Sequence, residues 1–165
     1  MGFISSQIKL QGKWNPGAMV PGVRAFHSAA QEWRFNCGKS AAMQAVTNQV
    51  EKLDGFQLSE NEAPLDTLVV QVLTLAKWMD QFTFSFEEDQ EGSCLVKVRG
   101  NSTGLLPVVV PFAPYLNVLF SWFPFLDWGK VARSMGLVRK FIEKEEGSNV
   151  KVTLVTKSFS TSNRA

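Results

Sequence analysis

One histidine and two cysteines in 165 residues leave little material for several kinds of chemistry. His27 is flanked by Phe26 and Ser28, a setting with no ligand spacing for a metal. A nucleophile–histidine pair would need it beside Cys37, Cys94 or a serine. Nucleophile elbow, glycine-rich dinucleotide loop and zinc spacing are all missing, so the sequence implies no metal and no cofactor. A net charge of +2 is too small for the basic stripe that nucleic acid requires. With two cysteines and no unbroken apolar leader, Cys37 and Cys94 read as reduced thiols, a single bridge being the alternative. Residues 1–31 contain no acid, which weakly resembles an organelle transit segment, and Gly2 with Ser6 formally fits an acylation pattern that the bulky Phe3 disfavours.

Charge is also missing from Gly100–Leu126, GNSTGLLPVVVPFAPYLNVLFSWFPFL, where fifteen residues are large and apolar or aromatic. Burying such side chains is worth about 1.5–3 kcal/mol each, so water is not their natural surrounding. Pro107, Pro111, Pro114 and Pro124 break the run, and its longest proline-free piece, Tyr115–Phe123, covers only about 14 Å as a helix. A bilayer core is about 30 Å thick. The stretch therefore reads as a loop or short helix dipping into one leaflet, or as a lid over the domain's own core, ahead of a true span. Leu105, Leu106, Phe112, Tyr115, Leu119, Phe120, Trp122, Phe123, Phe125 and Trp128 are the candidate membrane- or lipid-contacting residues. Tryptophans at one end suit the headgroup zone.

Around this stretch the pattern predicts one α+β domain: an antiparallel sheet of five or six strands with two helices packed on it. Turn signals at Asn15-Pro16-Gly17 and Pro21-Gly22 make residues 1–24 an irregular lead-in. Sheet and first helix occupy 25–99, the apolar insertion 100–126, a second helix and last strand 127–156, and a frayed tail 157–165. Strands are expected at Ala29–Phe35, Phe56–Ser59, Thr67–Leu75, Phe82–Phe86, Cys94–Arg99 and Val150–Val155. Phe82, Phe84 and Phe86 share one face, and the acidic turn at 87–92 joins their strand to the next as a hairpin. Gly38-Lys39-Ser40 ends like a phosphate loop, but position 33, where that loop needs glycine, is Trp33. The segment reads instead as a helix start with Ser40 as N-cap, where Lys39 can hold an anion.

The second helix is expected from an Asp127 cap to about Glu146, with Val131, Met135, Val138 and Ile142 facing the sheet. Lys130, Arg133, Lys140 and Lys144 gather on its other face, a candidate contact for an anionic surface. The alternative is a solvated helix face interspersed with Glu143, Glu145 and Glu146.

Three pieces of the carboxy-terminal half resemble a family known as domain of unknown function 1499, over residues 66–146. Trp78-Met79-Asp80-Gln81-Phe82 is similar to the family's aromatic-acidic strand start, with Gln81 in place of a second acid. Val96–Ser102 resembles its strand ending in arginine and small hydroxyl residues, with Gly100 for serine; Asp127-Trp128-Gly129 resembles its helix start, with Val131 for asparagine. Thr103–Leu126 replaces a short link. The resemblance implies an α+β fold and brings no catalytic residue. It singles out Asp80, Arg99, Ser102 and Asp127, with a buried Arg99–Asp127 pair as a structural clasp bracketing the insertion.

Together these features point to a non-enzymatic, membrane-associated domain, intracellular or organellar, that binds a membrane surface or lipid-like ligand through 104–126. A structural subunit of a membrane-associated complex, with a protein partner on the same segment, is the first alternative. An enzyme on a hydrophobic substrate, with Asp80, Arg99 and His27 converging in a pocket, is the second.

Overall fold

A computed structural model describes residues 2–13, 28–59, 63–74, 77–89, 92–120, 130–144 and 150–159. Six strands form one antiparallel sheet: β1 (Ser28–Phe35), β2 (Phe56–Leu58), β3 (Thr67–Leu73), β4 (Met79–Glu88), β5 (Cys94–Ser102) and β6 (Val152–Phe159), in spatial order β2-β3-β4-β5-β1-β6. Four helices are described: α1 (Gly2–Lys13), α2 (Lys39–Lys52), α3 (Ala113–Leu119) and α4 (Lys130–Lys144). The α+β class holds, with six strands, and two helices more than the two expected.

Period-two alternation decides which side of the sheet is covered. Phe82, Phe84 and Phe86 of β4 pair across to Gly100, Val98 and Val96 of β5, which continue to Ala29, Gln31 and Trp33 of β1. This face meets Val46 and Val50 of α2 and Val131, Met135, Val138 and Ile142 of α4 in one buried core. Trp33 and Phe84 contact edge-on at 5.8 Å. Gly100 is required here, because a Cβ at that position would collide with Val131 and Phe82. The serine expected from the family resemblance would therefore lift the first turn of α4 off the sheet. On the other face lie Thr83, Ser85, Lys97, Arg99, Glu32 and Arg34, as befits an antiparallel sheet solvated on one side.

Several expectations are corrected. Residues 2–13 form a helix and not an irregular lead-in. The N-cap of α2 is Gly38, whose extended backbone starts the helix, so Ser40 lies inside it. β4 and β5 are longer than their clearest alternation, and β6 runs on to Phe159 where a frayed tail was expected. Cys37 and Cys94 are free thiols. Asp127 lies outside the described residues, as do His27, Trp122, Phe123, Phe125 and Trp128, and the side chains of Lys130 and Lys144.

Candidate functional site: an apolar platform at one end of the sheet

Residues 103–120 of the uncharged stretch do not fill the core between sheet and helices. None of the residues from 103 to 120 belongs to the buried cluster between the sheet and the helices α2 and α4. It leaves β5 at Ser102, where β4 begins, and builds a separate structure there together with α1. Pro114 sits in the first turn of α3, where a missing amide costs nothing, and the helix runs only to Leu119.

What joins α1 to this segment is polar. Gln7 donates from Nε2 to the Val108 carbonyl (2.7 Å), and its Oε1 accepts the Ala113 N–H (3.1 Å). Gln11 donates to Thr103 Oγ1 (2.8 Å), and that hydroxyl donates to the Met79 carbonyl (2.6 Å). Asn117 closes the loop ahead of α3, accepting from the Leu106 N–H (2.7 Å) and donating to its carbonyl (3.0 Å). A Cβ on Gly104 would strike Asn117, so glycine is needed for this approach. The Val108 N–H reaches the Lys77 carbonyl in the turn between β3 and β4 (2.9 Å), tying the assembly to the sheet. Gln7, Gln11, Thr103 and Asn117 are all buried.

What faces outward is apolar. Helix α3 buries Ala113, Pro114 and Asn117 and presents Tyr115, Val118 and Leu119 to solvent. Phe112 before it is 67% exposed, Leu119 63% and Tyr115 52%, with Val109 and Phe120 also open. On α1, Phe3 (57%) and Ile4 are exposed one turn ahead of Gln7. On α3 it is the large apolar side chains that are exposed, the reverse of an ordinary surface helix. Large apolar side chains are thus exposed on α3, on the turn before it and at the start of α1. Leu105 and Leu106 are half-buried.

Backbone strain falls in the same place. Among the described residues, the non-glycine positions with left-handed φ are Lys77 (60°) and Phe112 (62°). For a bulky residue such as Phe112 this conformation is a genuine outlier, of the sort that clusters at functional sites.

The remaining sequence-selected residues scatter. Asp80 is fully buried on the helix-facing side of β4, directly opposite Ser102, so two of the clasp candidates meet. Arg99 is exposed on the other face of the sheet, which excludes a buried clasp on its side. That separation also parts Asp80 from Arg99 and breaks the convergence an enzyme pocket needed. Arg133 and Lys140 are exposed on α4, with Leu137 and Phe141 open between and beside them. Lys39 holds Asp66 at 2.9 Å, a carboxylate partner that raises the pKa of its ammonium. The acidic hairpin tip is paired: Glu87 with Lys97 (2.6 Å) and Asp89 with Arg34 (3.0 Å). At that far end a polar cleft of about 520 Å³ is lined by Arg34, Asn36, Asp89, Ser93, Lys151 and Thr153.

No described helix is long and apolar enough to cross a membrane, and no cluster of His, Cys, Asp or Glu among the described residues could hold a metal ion. No family model and no curated protein matches the chain. Among solved structures it is similar to an HSP90 activator from Plasmodium falciparum, at 11% identity and a TM-score of 0.37, over 67% of this chain and 96% of that one. CalU16 from Micromonospora echinospora is similar at 11% identity and a TM-score of 0.38, over 70% of this chain and 84% of that one. Neither likeness is close enough to carry a functional argument.

Proposed function

We propose that this is a non-enzymatic peripheral membrane domain that docks on a leaflet through the platform built by α1 and residues 103–120. One observation carries the reading: α3 turns Asn117 inward and Tyr115, Val118 and Leu119 outward, while behind it Gln7 bonds the Val108 carbonyl and the Ala113 N–H and Gln11 holds the Thr103 hydroxyl. In hydrocarbon every backbone polar group must be satisfied from within, and the bonds of Gln7 and Asn117 to the backbone of Leu106, Val108 and Ala113 supply part of that requirement. Insertion is shallow, since α3 spans only about 10 Å. Arg133, in the first helical turn of α4, lies near the platform end of β5, because Val131 packs over Gly100. Lys140 is about 10 Å further along the helix. The resemblance to domain of unknown function 1499 enters the proposal as scaffold: the platform is what this chain adds to it.

Vesicle flotation tests the reading. Leu119→Asp is expected to abolish flotation with the thermal unfolding midpoint unchanged, because Leu119 touches solvent and not the core. Loss of folding in that variant would return the segment to a structural role. Intact flotation would end the membrane reading.

A further inference from the structure

We infer that the polar cleft at the hairpin end of the sheet binds a small phosphorylated sugar or polyol, with Arg34 and Lys151 on the phosphate. The site does not depend on the membrane reading: the nine residues of β5 set it about 27 Å from the platform, which begins where β5 ends. Its volume of about 520 Å³ lies within the roughly 300–1,000 Å³ of small-molecule sites. The lining comes from the end of β1, the β4–β5 hairpin and the start of β6. Arg34 stands opposite Thr153 across the β1–β6 pair. Just beyond, the Asn36 N–H donates to the Lys151 carbonyl (3.2 Å) and the Lys151 N–H to Asn36 Oδ1 (2.6 Å). On the hairpin side the Asp89 N–H donates to the Ser93 carbonyl (2.9 Å), and Arg34 Nε reaches Asp89 Oδ2 at 3.0 Å. Strand pairing and short hydrogen bonds therefore hold the walls in place.

Charge and polarity name the ligand class. The described lining holds two cations, Arg34 and Lys151, against one carboxylate, Asp89, an excess of positive charge that calls for an anion. A guanidinium carries five N–H donors in a planar fork, so Arg34 can keep Asp89 on Nε while its terminal nitrogens take two phosphate oxygens. Lys151 adds a mobile point charge. Hydroxyls of Ser93 and Thr153, the Asn36 amide and the Asp89 carboxylate are the partners that sugar hydroxyls require. A nucleobase fits poorly, since Phe35, the aromatic residue of the described lining, is fully buried and offers no ring face for stacking. A lipid headgroup is equally out of place. Headgroups occupy a layer about 5–8 Å thick on each side of a bilayer, and a leaflet docked on the platform would not bring them to the other end of the sheet. The ligand is therefore a free one.

Isothermal titration calorimetry on the full chain with glucose 6-phosphate, ribose 5-phosphate and glycerol 3-phosphate tests the inference. At least one of the three is expected to bind at least tenfold more tightly than inorganic phosphate or the matching unphosphorylated sugar or polyol. Arg34→Gln and Lys151→Gln should each weaken that binding about tenfold, the loss of one charge-assisted contact. Arg34→Lys, which keeps the charge without the fork, should fall between. Both side chains are exposed, so thermal midpoints close to that of the wild type are expected and show that the variants fold. Lys13→Gln and Leu119→Asp, at the platform end, should leave the affinity unchanged. A chain that binds none of the three esters overturns the inference. Inorganic phosphate binding as tightly as every ester would reduce the cleft to an anion site and overturn the sugar assignment. Affinity that survives both Arg34→Gln and Lys151→Gln would place the ligand elsewhere. Titration of the ester by vesicles containing phosphatidylinositol 4-phosphate, in a competition that Lys151→Gln abolishes, would make a lipid headgroup the occupant and overturn the free ligand. None of these outcomes bears on vesicle flotation, so this site and the platform stand or fall separately.

Discussion

Replacing Phe112 by glycine separates the stability of the platform from its use. Phe112 is 67% exposed, so about a third of its surface gains from burial, worth roughly 0.5–1 kcal/mol of the 1.5–3 kcal/mol for a fully buried side chain. Its φ of 62° costs about 1–2 kcal/mol for a residue with a Cβ, a cost that glycine removes. Against that, glycine loses about 0.5–1 kcal/mol more backbone entropy on folding. These contributions cancel to within about 1 kcal/mol, so urea or thermal unfolding should barely move. Phe112→Ala keeps the strained backbone and is expected to be about 1 kcal/mol less stable than Phe112→Gly. Membrane affinity should behave differently. Removing the exposed two-thirds of a phenylalanine forfeits about 1–2 kcal/mol of transfer into lipid, or roughly a 5- to 30-fold weaker partition in vesicle flotation. A glycine variant that unfolds early would show that Phe112 is a structural anchor. One that floats as well as the wild type would show that this ring does not enter the bilayer.

Gln7→Ala strands the Val108 carbonyl in a buried place, whereas the Ala113 amide keeps the Val110 carbonyl at 3.1 Å. At about 1–3 kcal/mol for the one orphaned group it should lower the urea midpoint and loosen α1 in hydrogen exchange. Gly100→Ser pushes a side chain into Val131 and Phe82, and a loss of about 1–3 kcal/mol by overpacking is expected in thermal melts. Burial, with a smaller contribution from nearby Cys37, lifts the Cys94 thiol to about 11 from its ordinary 9.0. The folded chain then keeps a proton that the unfolded chain releases. This thiol's contribution is therefore complete below pH 9 and fades between pH 9 and about 11, a decline in melting temperature that Cys94→Ala should flatten. At neutral pH, Cys37 should react with an alkylating reagent well before Cys94, which is buried.

The scaffold was legible because its residues obey simple periods. Phe82, Phe84 and Phe86 alternate and are buried together; Val131, Met135, Val138 and Ile142 recur at helical spacing and are buried together. The same rule of two placed Arg99 off the core, since it shares parity with Lys97 and not with Val98 or Gly100. The clasp idea overlooked that signal in favour of the family pattern. Helix α1 left no such trace. Its inward positions are glutamines, and a reading that looks for an apolar stripe passes over a helix whose buried side is polar. For the same reason the proline-broken stretch could be flagged as unsuited to water without revealing which of its residues turn outward. That depends on hydrogen bonds between Gln7, Val108 and Ala113, about a hundred positions apart in the chain.

Those bonds also bear on how the proposed docking would proceed. A greasy surface held in place by apolar contacts alone would tend to collapse onto itself in water. Here the fixing elements are directional: two glutamines, an asparagine and the Thr103–Met79 link, each tied to a particular backbone group or hydroxyl. Directional bonds specify one geometry, and Phe112 keeps its strained angle only because its surroundings over-determine it. A platform of this kind meets a membrane already shaped. Ordering costs that a flexible loop would incur on binding are met during folding instead. Gln7→Ala, although Gln7 is buried and bonds the buried residues Val108 and Ala113, is thus expected to weaken flotation by more than its loss of overall stability accounts for, because it frees the outward side chains from their fixed array. If flotation fell only in step with the unfolded fraction, preorganisation would contribute nothing to binding.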